Sequence, residues 1–585
     1  MRIICEYNRG RTPLEWIHRY PTAPLIRFRE FGIYNYLVLA DEGALRDVLV
    51  KNSYDFEKPK EVRAAISGMV GHGLVTSEGP DHRALRLAIG SGFNIHSARK
   101  FYTVIWQETR EFLARLQQDI AKGSSHNPEA DGLIDVNNVF RQLFINIIGI
   151  RLVGDHWRGV PDGAQKVGDA FGKILEPSLG NIVSFAMYLA CPRWISSIIS
   201  WSNKTARRAA KDDLHALFLS LVLLQQQENA QKERKSSQPN LIDLMIQRHS
   251  YTADMITGQI MQDFTSFELL TFTISWCCYE LGCDQSFQAR LRREVKDALS
   301  TKAEGSWSTM ESLPLLNAFC LEVLRLHPIA PVTARQVIRD TTIGDVKVSR
   351  GTGIIICPYA MGRCSHIWGP RGNEFYPERW IVRDNHGQTK IDPTGGTSSK
   401  HASHPFLFGR RECLGKELVM AQIRCVVAAV TEQFSIELQG TTRDNPPPSS
   451  LQPGERTVPM EVLHLSMPRT GTVSMQKALA ILGIRLYHGG GTTLRRPFDT
   501  VRWMQAAEAK FNNQGPQFQL AEWNQLLGDF GAVSNMPCIA FAEDLRAAYP
   551  EAKVILIQRD AASWAESFRE AFARLYDWRT VLIAR

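Results

Sequence analysis

The stretch "PFLFGRRECLGKEL", residues 405 to 418, sets one cysteine, Cys413, among glycines and arginines. Gly409 and Gly415 allow a positive φ and close backbone approach, and "GKELVMAQIRCVVAAVTEQF" predicts an apolar-faced helix that begins just after the cysteine. The free amides and positive dipole end of that helix favour a thiolate. Such a thiolate serves as a nucleophile or as a metal ligand. A nucleophile would need a nearby base, and the sequence shows no cysteine–histidine arrangement. A metal held inside a macrocycle needs only one cysteine ligand from the protein.

Size and composition bound the class of protein. The chain has 585 residues, enough for a large enzyme domain and a smaller one. Hydrophobic residues make up 44% and charged residues 22%, which is typical of a globular, soluble protein. The net charge of +8 is mild, and no zinc-finger, RNA-binding or basic-stripe pattern predicts a nucleic-acid partner. The 11 scattered cysteines indicate a reducing compartment.

The N-terminal segment has no apolar run of signal-peptide or membrane-spanning length. The most apolar stretch, "IVSFAMYLACPRWISSIISW" at 182 to 201, is broken by Pro192 and Arg193. We therefore predict two buried or surface-seeking helices there, with partial dipping into a membrane as the alternative.

The pattern of the chain changes near residue 438. Residues 98 to 300 are mostly helical in spacing, and 335 to 358 alternate as strands do. The Pro- and Ser-rich segment "LQGTTRDNPPPSSLQPGERTVP" predicts a linker, and strand–turn–helix grammar follows it. We predict a first domain at 1–438, a linker at 439–459 and a small α/β segment at 460–585.

The full spacing around Cys413 resembles the haem-binding loop of the cytochrome P450 family, FxxGxRxCxG. The matching residues are Phe406, Gly409, Arg411, Cys413 and Gly415. Leu407 stands where the family usually has a glycine.

Upstream motifs extend this resemblance in the right order. "LEVLRLHP" and "FYPERW" are similar to the segments whose Glu322, Arg325 and Arg379 would form a buried ion-pair cluster behind the haem. Arg335 in "PVTARQ", with His82 and Arg86 in "GPDHRALR", would contact the haem propionates.

The resemblance implies a mainly α fold with small β-sheets, and haem held by Cys413 as the axial ligand of its iron. It implies a monooxygenase that puts one atom of O2 into a hydrophobic small molecule, with electrons from NADPH through NADPH–cytochrome P450 reductase. The likeness is to fungal secondary-metabolism members, which suggests a polyketide or terpenoid substrate. Arg410, Lys416 and Arg424 form either a docking face for the reductase or ordinary solvated charges. The family is usually attached to the endoplasmic reticulum, but without an N-terminal anchor a cytoplasmic location with peripheral membrane contact is the other expectation.

The distal helix departs from the family's AGxET pattern. In "DFTSFELLTFTISWCCYEL" the matching positions are Thr265, Ser266, Glu268 and Leu269, so the acid is kept and the hydroxyl is lost. A leucine can neither donate nor relay a proton. Three interpretations stay open: another proton route, such as Thr265, Ser266, water or a substrate hydroxyl; a reaction that needs no relay, such as peroxide use or rearrangement; or impaired oxygen activation. Glu268 is either a residue of the proton path or a buried structural acid.

The tail contains "VLHLSMPRTGTVSMQKALAILGI" and "VILIQRDAASWAESF". The first predicts a strand, a tight turn and a helix whose N-terminus offers an anion site, although it is not a Walker loop. Both motifs resemble the phosphosulfate-binding segments of the sulfotransferase family. The anion-site residues would be Arg469, Thr470, Gly471, Thr472, Arg559 and Ser567.

Two features argue against sulfotransfer by the tail. Asn535 replaces an aspartate that is common in the resembling subfamily, and the chain ends soon after the second motif. We expect 3′-phosphoadenosine-5′-phosphosulfate to bind only if the tail is active. The alternatives are a degenerate or docking segment, and a gene-model fusion or truncation. His488 is either a base or a turn residue.

Three rival functions remain open from the sequence. They are a haem-thiolate isomerase, dehydratase or peroxide-using enzyme, a non-catalytic haem protein, and a function that lies in the tail.

Overall fold

The computed structural model describes most of the chain as two compact units, and the chain passes from the first unit to the second between Glu437 and Leu438. The described residues are 10–30, 34–121, 134–175, 204–231, 240–247, 251–301, 305–384, 387–438, 456, 458–468, 470–488, 497–512 and 517–573. The stretch at 182–201 and nearly all of the 439–459 linker lie outside them, as does Arg469.

The first unit is mainly helical. In chain order its helices are α1 Arg11–Arg19, α2 Glu42–Arg46, α3 Lys60–Val70, α4 Gly79–Ile89, α5 Ile95–Ala121, α6 Val136–Val153, α7 Gly163–Leu175, α8 Lys204–Gln231, α9 Leu241–Ile246, α10 Ala253–Phe264, α11 Ser266–Cys283, α12 Gln285–Thr301, α13 Trp307–Glu311, α14 Pro314–Leu326, α15 Pro358–Met361, α16 Ser365–Trp368 and α17 Lys416–Gln433.

A small sheet lies beside these helices. Its strands are β1 Leu25–Glu30, β2 Tyr34–Leu39, β3 Phe56–Glu57, β4 Thr333–Val337 and β7 Gly353–Ile356, in the order β1-β2-β7-β4-β3. Only the β2–β7 pair is parallel, with Leu37 opposite Ile354. Two antiparallel hairpins, β5 Thr341–Ile343 with β6 Val346–Val348 and β8 Ile381–Arg383 with β9 Thr389–Ile391, complete the strands of this unit.

The main core of the first unit forms where α5, α6, α10, α11, α14 and α17 pack together. Helix α17 is apolar on several sides, which is why Ile423, Val426 and Val427 are almost fully buried. Because α17 begins three residues after Cys413, its burial in the core fixes the position of the cysteine loop.

The second unit is a parallel α/β sheet. Its strands β10 Val462–His464, β11 Leu486–His488, β12 Ala532–Ser534 and β13 Lys553–Ile555 lie in the order β11-β12-β10-β13, and all neighbours are parallel. The helices are α18 Thr472–Ile481, α19 Pro497–Asn512, α20 Leu520–Leu527, α21 Ala542–Ala548 and α22 Ala561–Ala573. A core around Tyr487, Trp503 and Trp523 lies within this unit.

No helix within the described ranges is long and apolar enough to cross a membrane.

Candidate active site

The Cys413 loop leaves an extended Phe408, makes a short 3₁₀ turn at Gly409–Arg411 and enters α17. The amide of Cys413 donates to the carbonyl of Phe406 at 2.9 Å, which closes the loop. Gly409 has φ +74°, and a Cβ added there would lie 2.5 Å from the Leu49 carbonyl oxygen. A glycine is therefore required at 409 for both conformation and space. Gly415 does not use a positive φ, because its φ is −81°.

Leu407 has φ +57°, the left-handed region that a glycine would occupy without strain. Its side chain packs against the buried cluster of the small sheet. Compared with a glycine, Leu407 therefore adds backbone strain and gains an apolar contact.

The Cys413 side chain is exposed although protein atoms surround its sulfur. A cysteine that is exposed and is also surrounded by protein atoms lines a concave surface. Burial raises the pKa of the Cys413 thiol, and this outweighs the Gly415 amide and the Arg86 guanidinium, which lower it. The expectation of a thiolate from the helix start alone is therefore wrong for the protein without a metal, because desolvation is the larger effect.

Glu322 and Arg325 lie one turn apart on α14, and both side chains are 0% exposed. Arg325 donates to the two carboxylate oxygens of Glu322 at 2.8 and 2.7 Å, and Arg379 donates to one of them at 3.0 Å. Trp380 and the amide of Tyr376 complete the acceptor shell of this carboxylate. Although burial acts to raise the pKa of Glu322, the two arginines lower it below its usual value. The structure thus brings together Glu322, Arg325 and Arg379, the first and last of which are 57 positions apart in the sequence.

A cluster of basic side chains lies beside the Cys413 loop. Its members are Lys58, His82, Arg86, Arg335 and Arg411, and their charges act on one another. Arg411 pairs with Glu78, both being almost fully buried. Arg86 donates to the carbonyl of Glu412 at 2.8 Å, and Arg335 donates to the carbonyl of Ala334 at 2.7 Å.

Burial and the neighbouring cations depress the pKa values of two members. The pKa of His82 falls to about 3, chiefly by burial and then by Arg411 and Arg86. The pKa of Lys58 falls to about 7 by burial and then by Arg335. Neither the Nδ1 atom of His82 nor the Nε atom of Arg411 has a hydrogen-bond partner within the described residues. These properties fit a ligand that brings two acidic groups.

Lys58 and Glu78 were missed by sequence reasoning. Lys58 donates from its amide to Glu78 at 3.0 Å and from Nζ to the carbonyl of Val75 at 2.9 Å. The stretch "YDFEKP" carries no periodic or motif signal.

The distal side is built from two helices rather than one. Helix α10 ends at Phe264 and α11 begins at Ser266, with Thr265 between them. Thr265 donates to the carbonyl of Gln262 and Ser266 to the carbonyl of Asp263, both at 2.6 Å. Side-chain hydrogen bonds to preceding carbonyls compete with the helical pattern and bend helices.

Glu268 forms an ion pair with Arg141 of α6, so its carboxylate already has a charged partner. Leu269 is 42% exposed, and Phe272 and Trp276 follow on the same face of α11 at 52% and 40%. This face is apolar. The structure therefore places an apolar surface where the hydroxyl of the family pattern would stand.

The second unit brings its two predicted motifs together. Gly471, at φ +88°, precedes α18, and the Thr472 hydroxyl lies 3.2 Å from His488 Nε2. Trp564 on α22 donates to the carbonyl of Pro468 at 2.8 Å, so the second motif packs on the first loop. Thr470 lies on that loop, Arg559 is an exposed residue between β13 and α22, and Ser567 lies on α22. Asn535 lies next to His488, with its Nδ2 atom 3.5 Å from His488 Nε2.

Comparison with known proteins identifies both units. Residues 24–460 match the family model described as cytochrome P450, and the chain belongs to this family. Residues 461–585 match a model described as a sulfotransferase domain. The predicted family and fold class are thereby confirmed, as is the predicted likeness of the tail.

Curated relatives are fungal proteins named cytochrome P450 monooxygenases. Among them, sphH of Aspergillus fumigatus is 26% identical over 73% of this chain and 78% of its own length. ptmK of Penicillium ochrochloron is 28% identical over 75% and 85%, and ALT8 of Alternaria alternata is 26% identical over 75% and 82%. These relatives support the predicted monooxygenase class.

Family membership implies haem and a reductase partner. The described residues fit haem, since Cys413 is an exposed cysteine and the adjacent cluster of basic side chains is suited to the two propionates. Phe406 is half-buried against the main core at the same loop. Arg410 is exposed, Lys416 pairs with Glu412 at 2.9 Å, and Arg424 is half-buried.

Proposed function

We propose that this protein is a haem-thiolate monooxygenase that inserts one atom of O2 into a hydrophobic small molecule during polyketide or terpenoid biosynthesis. The fungal monooxygenases that it resembles support the oxidative role. The apolar face at Leu269, Phe272 and Trp276 supports a hydrophobic substrate.

The single observation that carries the proposal is the accessible Cys413 sulfur on a loop held by the core helix α17. When bound, a haem with a thiolate ligand supplies O–O bond cleavage. The residues of this chain have other tasks. Arg86, Arg335, Arg411 and His82 would hold the propionates, and the buried Glu322–Arg325–Arg379 cluster would keep the segments around α14 in place.

The test is the carbon monoxide difference spectrum of the reduced, haem-loaded protein, followed by NADPH-dependent oxygen uptake with a reductase. We expect the red-shifted Soret band of a thiolate-ligated haem. Cys413→Ala should lose that band. If the wild type and Cys413→Ala give the same spectrum, Cys413 is not the ligand and the proposal fails.

Oxygen uptake also separates this function from its rivals. If substrate is converted although no NADPH is supplied and no O2 is consumed, the protein is an isomerase, a dehydratase or a peroxide-using enzyme. Haem binding without turnover of candidate polyketides and terpenoids would favour a non-catalytic haem protein.

For the tail, we propose an anion site at the loop that joins β10 to α18. The left-handed Gly471 before the helix N-terminus and the contact between Trp564 and Pro468 support it. Calorimetric titration of the full chain with 3′-phosphoadenosine-5′-phosphosulfate tests this. Binding that Thr472→Ala weakens would support the site, whereas no binding would leave the tail without a role in sulfotransfer.

A further inference from the structure

The distal side of this enzyme requires a proton source, because reduction of O2 consumes protons. Three side chains that the sequence offers for this task are already engaged. Glu268 pairs with Arg141, and the hydroxyl hydrogens of Thr265 and Ser266 are donated to backbone carbonyls. Leu269 has no proton to give.

Asp263 is the second-last residue of α10, two positions before Thr265, which separates α10 from α11. Its Oδ1 atom accepts a hydrogen bond from Gln259 Nε2, one turn earlier, at 2.9 Å. Gln259 is itself fully buried and held by the amide of Leu74, which donates to its side-chain oxygen at 2.7 Å. The carboxyl group of Asp263 is therefore held in one orientation by a rigid neighbour.

The second carboxyl oxygen of Asp263 has different surroundings. Oδ2 is buried and has no hydrogen-bond partner among the described residues. A buried carboxylate oxygen without a partner is costly, whereas a protonated carboxyl is not. Burial accordingly raises the pKa of Asp263 to about 7, although the hydrogen bond from Gln259 acts to lower it.

Asp263 is also near the sulfur of the cysteine loop. Its charge acts on Cys413 and raises the pKa of that thiol. The carboxyl group and the sulfur are thus close enough for their charges to interact.

We propose that Asp263 is the residue that holds a transferable proton on the distal side, in the role that a hydroxyl at position 269 cannot fill. The proton resides on Oδ2. The O–H bond breaks when this proton moves to oxygen that NADPH has reduced through the reductase, and a proton from bulk solvent then restores the carboxyl group. This inference rests on the proposed monooxygenase function. Gln259 acts as a positioning residue through its hydrogen bond to Oδ1.

The first measurement does not depend on turnover. Infrared spectra of the haem-loaded wild type and of Asp263→Asn are compared at about pH 6, below the pKa of the carboxyl. We expect a protonated carboxyl C=O band in the wild type that shifts in heavy water and is missing from the variant. If no such band distinguishes the two proteins, Asp263 is ionised and the proposal is wrong.

The second measurement follows oxygen, with NADPH and a reductase and without added substrate. Release of hydrogen peroxide uses one NADPH and one proton per O2, and reduction to water uses two of each. Asp263→Asn should slow oxygen consumption by about tenfold or more, as loss of a general acid does. Asp263→Glu, which keeps an acid, should recover part of the rate.

Two controls are matched to Asp263. Asp254→Asn changes another aspartate of α10, one that is exposed and pairs with His215 at the surface, and should leave the rate unchanged. Glu268→Gln removes the competing acid. A loss of rate in Glu268→Gln together with a normal rate in Asp263→Asn would overturn the assignment.

The carbon monoxide spectrum separates failure of this inference from failure of the proposed function. A wild type without the thiolate-haem band overturns both. A wild type and an Asp263→Asn variant that both show the band, with equal oxygen consumption, overturn the role of Asp263 alone.

Discussion

The backbone of Gly409 lies against the carbonyl of Leu49, so a Cβ atom at position 409 would be 2.5 Å from that oxygen. Leu49 is almost fully buried and belongs to the short π-helical turn Asp47–Lys51. The turn has little room to move away. The Cys413 loop is thus fixed by a contact with a segment more than three hundred residues earlier in the chain.

Gly409→Ala should destabilise the protein. The left-handed φ costs an alanine about 1–2 kcal/mol, and the clash adds about 1–3 kcal/mol. Urea unfolding of the haem-free protein, followed by circular dichroism, measures the loss. The matched control is Gly415→Ala, where φ is −81° and the nearest atom, Val419 Cγ2, lies 4.0 Å away. Equal losses in the two variants would contradict this account of the loop.

Glu322→Gln should lower the free energy of unfolding by roughly 3–5 kcal/mol at neutral pH, because Arg325 and Arg379 lose their buried countercharge. Burial alone would raise the pKa of Glu322, but the arginines depress it, so its stabilisation is present above its unfolded pKa. That stabilisation is lost as the pH falls through the depressed folded pKa. The difference between wild type and variant should therefore shrink in acid.

The control for Glu322 is Glu374→Gln, which breaks the exposed pair with Arg371. It should change stability by less than about 1 kcal/mol. Chemical unfolding of both variants across a pH series checks the prediction, and similar losses from both would show that burial does not set the strength of the Glu322 cluster.

Lys58→Met should stabilise the haem-free protein and weaken the retention of haem by the haem-bound protein. The folded pKa of about 7 lies below the ordinary lysine value, so the unfolded chain binds more protons between the two values. Stability of the haem-free protein should rise with pH across that window, and Lys58→Met should remove the rise. At neutral pH the variant should be more stable by roughly 1 kcal/mol.

With haem bound, the same variant should lose haem faster, because one cation beside the propionates is gone. Haem transfer to an acceptor protein, followed by absorbance, measures this rate. Lys60→Met, at the exposed start of α3, serves as the control and should change neither quantity. Faster haem loss from both variants would point to a general charge effect.

Cys413 in the haem-free protein should react slowly with iodoacetamide although it is exposed, because its raised pKa leaves little thiolate. Peptide mass spectrometry before and after unfolding measures the difference in rate. Arg86→Gln should slow the reaction further, since Arg86 lowers the thiol pKa. Buried Cys425 should stay unmodified until the chain unfolds. Labelling of Cys413 at the rate of the unfolded chain would disprove the raised pKa.

The sequence predicted the family and the mainly helical fold because local spacing carries them. Two short-range patterns carry this information. They are the spacing of glycine, arginine and cysteine in the 405–418 loop, and the Glu322–Arg325 pair one helical turn apart. The likeness of the tail also followed from a strand–turn–helix of local character.

Only the tertiary structure decided which charges meet. Arg141 reaches Glu268 across 127 residues, and Arg411 reaches Glu78 across 333, so neither pair has a local signal. The protonation state of the Cys413 thiol also depends on the tertiary structure. The helix start that favours a thiolate is visible in the sequence, but the desolvation that outweighs it depends on how the folded chain packs around the sulfur.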